Sequence, residues 1–129
     1  MTRQVLVPPA LRAACAQAGM SPGVVSHNHV FLTGVTGAGP DGAMPDTDEA
    51  QFNACFEKIA AVLAEADLGL DAVVEMTSYH VGLRGHFDLF DRVRRLHLAD
   101  PYPAWTAVEV AGLRRHGAVV EIRVVAALR

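Results

Sequence analysis

The sequence predicts an α+β domain: one mixed β-sheet carrying two helices on a single face. Three observations predict it. Apolar residues recur at three- and four-residue spacing over residues 48–66 and again over 84–98, the period of a helix with one buried side. Short runs rich in Val, Ile, Phe and Thr, bounded by Gly, Pro and Asn, stand before, between and after those stretches. The chain has 129 residues, 51% of them apolar, enough for one core and too few for two. Residues 1–129 therefore read as a single domain.

Residues 3–7 alternate weakly and read as an edge strand, which Pro8-Pro9 ends. Residues 10–20 are Ala-rich and fit either a short helix or an irregular arm; Gly19, Pro22 and Gly23 block anything longer. Val24-Val25 and Val30-Phe-Leu-Thr33 read as strands around a turn, with Asn28 as the residue that tolerates positive φ. Gly34, Gly37, Gly39 and Gly42 mark a long loop. The first long helix opens at Asp48-x-x-Gln51, the pattern of a capping box. It buries Phe52, Phe56, Ile59, Leu63 and Ala66 and closes at Leu68-Gly69. A strand follows over Val73–Val81, with Val74, Met76, Ser78 and His80 on one face and Val73, Glu75, Thr77, Tyr79 and Val81 on the other. His80 reads as a satisfied core histidine. The second helix spans Arg84–Leu98, with Phe87, Phe90, Val93 and Leu96 inward and Arg92, Arg94 and Arg95 as a solvated face; Asp100-Pro101 stops it. Two strands, Tyr102–Gly112 and Ala118–Leu128, joined across Leu113–Gly117, finish the chain as a pair.

Two helices cover one face of such a sheet. The other face stays apolar through Val120, Ile122 and Val124, and a bare apolar face must be buried. With no helix left to cover it, a second copy of the chain is the natural partner, so a symmetric oligomer is expected.

Composition excludes several classes. Net charge is −3 and no basic tract occurs, so no nucleic acid is expected as a partner. The apolar runs are too short to span a bilayer, so no membrane is expected. The N-terminus has no signal-peptide core, and Cys15 and Cys55 form no CxxC, which suits a cytoplasmic chain with reduced thiols. His27 and His29 flank a turn without further ligands of suitable spacing, so no metal is expected. Gly34–Gly42 lacks the Lys-Ser/Thr of a phosphate loop, and no cofactor is expected.

One ionisable group stands out. Glu121 lies in the apolar closing strand, where an acid is either paired or working. Arg123, two residues on, is its first candidate partner, with Glu109 the other choice for Arg123.

Several fragments, in order, resemble the Rid family of imine and enamine deaminases. They are Val30-Phe-Leu-Thr-Gly34, Asp48-Glu-Ala-Gln51, Asp71-Ala-Val-Val-Glu-Met-Thr77, Phe87-Asp-Leu-Phe-Asp91, Tyr102-Pro-Ala-Trp-Thr106 and Val120-Glu-Ile122. The resemblance covers nearly the whole chain. It implies a chorismate-mutase-like fold and a homotrimer with a barrel-like core. It also implies clefts between subunits where a small-molecule substrate or ligand binds. By resemblance, Glu121 is the catalytic acid that places or activates water. Thr33, Gly34, Met20, Asp91, Trp105 and Thr106 stand at substrate-binding positions. Trp105 occupies the place of the family's carboxylate-binding arginine. Ala107, Val35, Asp91 and Met20 also depart from the family's usual Cys, Gln, Asn and Tyr. Indole offers one N–H and an apolar face, not a bidentate fork. The expected function is hydrolysis or deamination of a reactive imine, enamine or related small molecule with altered specificity. The alternative is a non-catalytic trimer that binds a metabolite or a protein. Ribonuclease activity, known in some relatives, fits poorly with the acidic balance.

Overall fold

The structure, a computed structural model, describes residues 3–129. Six strands form one sheet in the order β1-β2-β3-β6-β4-β5: β1 Gln4–Leu6, β2 Gly23–Ser26, β3 His29–Leu32, β4 Val73–His80, β5 Ala104–Glu109 and β6 Val120–Ala127. All neighbours pair antiparallel except β4 and β5, which are parallel and joined through a helix. The mixed sheet of the expectation is therefore present. The closing pair is not. β4 lies between β5 and β6, because the parallel β4–helix–β5 crossover takes one edge of β4 and leaves the other to β6.

Among the described residues there are three α-helices rather than two: α1 Arg12–Ala18, α2 Asp48–Ala64 and α3 Leu83–His97. The Ala-rich segment resolves to helix α1, ended by Gly19 at φ 69. The N-cap of α2 is Thr47, one residue before the expected box; its hydroxyl accepts from Ala50 N–H at 3.1 Å. Gln51 is freed for another task. Its amide donates to Gly117 O at 3.0 Å and accepts from Val119 N–H at 2.9 Å, tying α2 to the start of β6. At the other end of α2 the left-handed residue is Asp67, not Gly69. In the β2–β3 hairpin it is His27 rather than Asn28 that takes positive φ.

The core lies between the sheet and α2 with α3. Phe52, Phe56, Ile59 and Leu63 of α2 and Phe90 and Val93 of α3 meet Val30, Leu32, Met76, Val120, Ile122 and Val124. This corrects the facing of β6. Val120, Ile122 and Val124 point under the helices, and the bare face carries their odd-numbered neighbours instead. Period-two alternation fixes two faces but not which one the helices take. A register shift between Val73 and Glu75 turns Val74 outward and Val73 inward, against the simple alternation. Leu96 of α3 is also exposed, at 80%, because its place facing the core is taken by Val93 and His97. Across the bare face run Val5, Val24, Phe31 and Val125, cross-strand neighbours on β1, β2, β3 and β6. Among the described residues no helix is long and apolar enough to cross a membrane.

Candidate functional site

Glu121 sits on the bare face, opposite Tyr79 of β4, and Arg123 sits opposite Thr77. Thr77 neighbours Thr106 of β5 on its other side, so Thr106 shares this face. The strand after β3 passes Glu121 at close range. A Cβ added to Gly34 would stand 2.5 Å from Glu121 Oε2 and 3.2 Å from its carboxyl carbon. Only glycine leaves room for the carboxylate here, so Gly34 and Glu121 are brought together as one unit. Arg123 pairs with neither Glu121 nor Glu109 among the described residues. Glu109 points to the helix side, where it accepts from Gly82 and Leu83 N–H and caps α3.

The segment beyond Gly34 is pinned in place. Val35 exchanges two backbone hydrogen bonds with Ile122, both 2.9 Å. Lys58 of α2 donates to Thr36 O at 2.8 Å and Ala38 O at 2.9 Å, and burial lowers its pKa. Lys58 escaped the sequence reading; its signal was a cation one place from the buried Cys55–Ile59 stripe. Burial pushes the Cys55 thiol up to about 12, with Lys58 lowering it and Glu121 raising it, so Cys55 is an inert core thiol. Thr33 uses its hydroxyl to donate to Ser21 O at 2.6 Å, which ties the arm that carries Met20 to the end of β3. Met20 itself is exposed.

Trp105 lies on the opposite face of the sheet from Glu121, since it pairs with inward-facing Met76. Within the chain the two do not meet. The indole N–H donates to Ser78 Oγ at 2.8 Å. Its ring stacks on Phe87 at 5.8 Å and 4°, and the Arg94 guanidinium lies 4.3 Å from the ring centre. Arg94 is thus no solvated charge; its side chain is 11% exposed and ion-paired to Asp91 at 2.6 Å. Asp91 also binds Arg95. Burial opposes ionisation of Asp91, but the two arginines together hold its carboxyl below the usual range. So Asp91 acts through Arg94 on Trp105. Two clefts of the chain, about 430 Å³ at Gln4–Val7, Arg12 and Glu65 and about 140 Å³ around Leu70, His97 and Pro101, lie away from both groups.

A mixed sheet with its long helices on one face matches the expectation from the motifs. Residues 11–128 match the family described as Endoribonuclease L-PSP, and the chain belongs to that family, which includes the Rid proteins. It is 30% identical to the RutC family protein YjgH of Escherichia coli K12 over 125 residues, covering 96% of this chain and 94% of that one. The solved structure of protein YJGH superposes with a TM-score of 0.90 at 29% identity, covering 99% of this chain and 98% of that one. The crystal structure of YEO7_yeast gives 0.88 at 26% identity, covering 99% and 100%. That of E. coli TdcF with bound serine gives 0.77 at 25% identity, covering 84% and 86%.

Proposed function

We propose that this chain is a Rid-type hydrolase of a reactive imine or enamine, working as a homotrimer with its site where bare sheet faces meet. The observation that carries the reading is the Glu121 carboxylate lying against Gly34 on the uncovered face. Membership of the family supports it, as does a relative whose structure holds serine, a small amino acid. The apolar row Val5–Val24–Phe31–Val125 beside the site supports burial of this face by further copies.

In this reading water adds to the C=N carbon, and Glu121 takes the proton that the water loses. Glu121 passes that proton to the nitrogen, giving a carbinolamine. It then takes the proton of the carbinolamine hydroxyl and delivers it to the nitrogen as the C–N bond breaks, so that a carbonyl compound and an amine leave and Glu121 is again a carboxylate. A placed water and a nearby anion supply most of what this step needs. Thr106 shares the face and would orient the substrate. Trp105 marks the change of specificity. Its ring lies on the helix side between Phe87 and Arg94 and its only N–H is taken by Ser78, so it supplies no polar grip on a carboxylate where the family has its arginine. Substrates without an amino-acid carboxylate are therefore preferred.

The test is Glu121→Gln assayed on a panel of imines with and without a carboxylate. Turnover should fall by on the order of 10²–10⁴, the usual worth of a positioned acid or base, with the fold intact. Unchanged turnover on every imine would favour the non-catalytic ligand-binding trimer instead.

A further inference from the structure

A chain of polar contacts runs through the protein interior, from β5 to α2. Trp105 Nε1–H donates to Ser78 Oγ at 2.8 Å. Ser78 Oγ is 2.8 Å from His80 Nε2, and His80 Nδ1 is 2.9 Å from His86 Nε2. His86 Nδ1 faces Asp48 Oδ2 at 3.7 Å. Ser78 and His80 are fully buried and His86 is 7% exposed. Five polar side chains from four elements are rarely aligned this way without a use, since each link must be satisfied to be tolerated.

The ends of the chain set its direction. An indole nitrogen only donates, and a carboxylate only accepts. With both imidazoles neutral, His86 presents Nδ1–H to Asp48 and accepts at Nε2 from His80 Nδ1–H. His80 Nε2 then accepts the Ser78 hydroxyl proton. The Ser78 oxygen is left to receive the indole N–H. Every donor points from Trp105 toward Asp48. One added proton on either imidazole forces His80 Nε2 to donate to Ser78, reversing that bond. The Ser78 hydroxyl proton then has no acceptor in a buried place, a costly state.

We propose that Ser78, His80 and His86 are positioning residues for Trp105, holding its indole in one orientation through a one-way run of three hydrogen bonds whose far end, His86 Nδ1, faces the Asp48 carboxylate. The groups around the imidazoles agree with this. His80 meets His86 and Phe90 of α3, Val120 of β6 and the field of Glu109 on β5; His86 meets Phe52 and Asp48 of α2 and feels Glu109. Burial keeps both imidazoles neutral around pH 7, against the pull of these carboxylates. The consequence for substrate rests on the reading of Trp105 as the recognition residue; the chain itself does not.

Trp105 is the only tryptophan, so one indole N–H signal reports on it. In ¹⁵N NMR at neutral pH that proton should exchange slowly with water. Ser78→Ala should speed its exchange at least about tenfold, the effect of losing a buried acceptor, with the circular dichroism unchanged. In the parent the indole signal should shift as the pH falls and the imidazoles gain protons; His80→Gln, which keeps a neutral hydrogen-bonding group, serves if the alanine variant folds poorly, and it should abolish that shift. An indole proton that exchanges equally fast in parent and Ser78→Ala overturns the proposal, as does a signal equally pH-sensitive in parent and His80→Gln. Ser78→Ala should also raise KM for the preferred imine more than it changes kcat. An indole released in the spectrum with KM unmoved supports the positioning chain and refutes Trp105 as the recognition residue.

Discussion

Lowering the pH should unfold this protein chiefly through His80. In an unfolded chain a histidine binds its proton near the model value of 6.5; in the fold His80 binds it only near 4, because burial and neighbouring His86 disfavour the charge. Between those values the unfolded state holds more protons, so acid favours unfolding. The stability contributed by neutral His80 is complete above about pH 6.5 and is lost as the pH falls toward 4. That gap, at roughly 1.36 kcal/mol per pH unit, amounts to about 3 kcal/mol. His86 is depressed in the same direction by burial and deepens the loss. The total is a large part of the roughly 5–15 kcal/mol that holds a domain folded. Urea unfolding followed by circular dichroism, at one fixed protein concentration and at about pH 7, 5.5 and 4.5, measures it. His80→Gln should flatten the pH dependence, although its stability near pH 7 is lower. Parent and variant losing stability alike on acidification would refute the assignment and leave the carboxylates as the cause.

Two further outcomes follow from the bare face. Gly34→Ala should leave the fold nearly as stable, because the atom it strikes is the mobile end of Glu121, yet turnover should drop toward that of Glu121→Gln as the carboxylate is displaced; full activity in a folded variant would separate Glu121 from the chemistry. Phe31→Asp should split the proposed trimer without unfolding the chain, since Phe31 is 41% exposed on that face while a charge there cannot be buried between copies. Light scattering should fall from about three chain masses to the 13.8 kDa of one chain, and a trimer that survives would place the interface elsewhere.

The candidate site was partly legible. Glu121 announced itself as an acid in an apolar strand, and Gly34 came with the motif that resembles the family; their contact could not be read, because Val35 meets Ile122 across a gap of many residues. Asp91 was legible by position, but its work on Arg94 beneath Trp105 was not. The buried run from Trp105 to Asp48 left almost no trace. Its members are separated by irregular intervals and lie on four elements, so no spacing rule joins them.

By itself the sequence determined the elements. The 3.6-residue period of Phe52–Leu63 and Phe90–Val93 makes those stretches helices, and Val-rich runs between turn residues make strands, because local periodicity decides what a segment can bury. Tertiary structure alone decided that β6 enters between β3 and β4, and that Val120, Ile122 and Val124 rather than Glu121 and Arg123 lie under the helices. The physical reason is that strand pairing is non-local. A strand's alternation is identical whichever neighbour it takes and whichever face it buries, so only packing of the whole chain against α2 and α3 selects one arrangement.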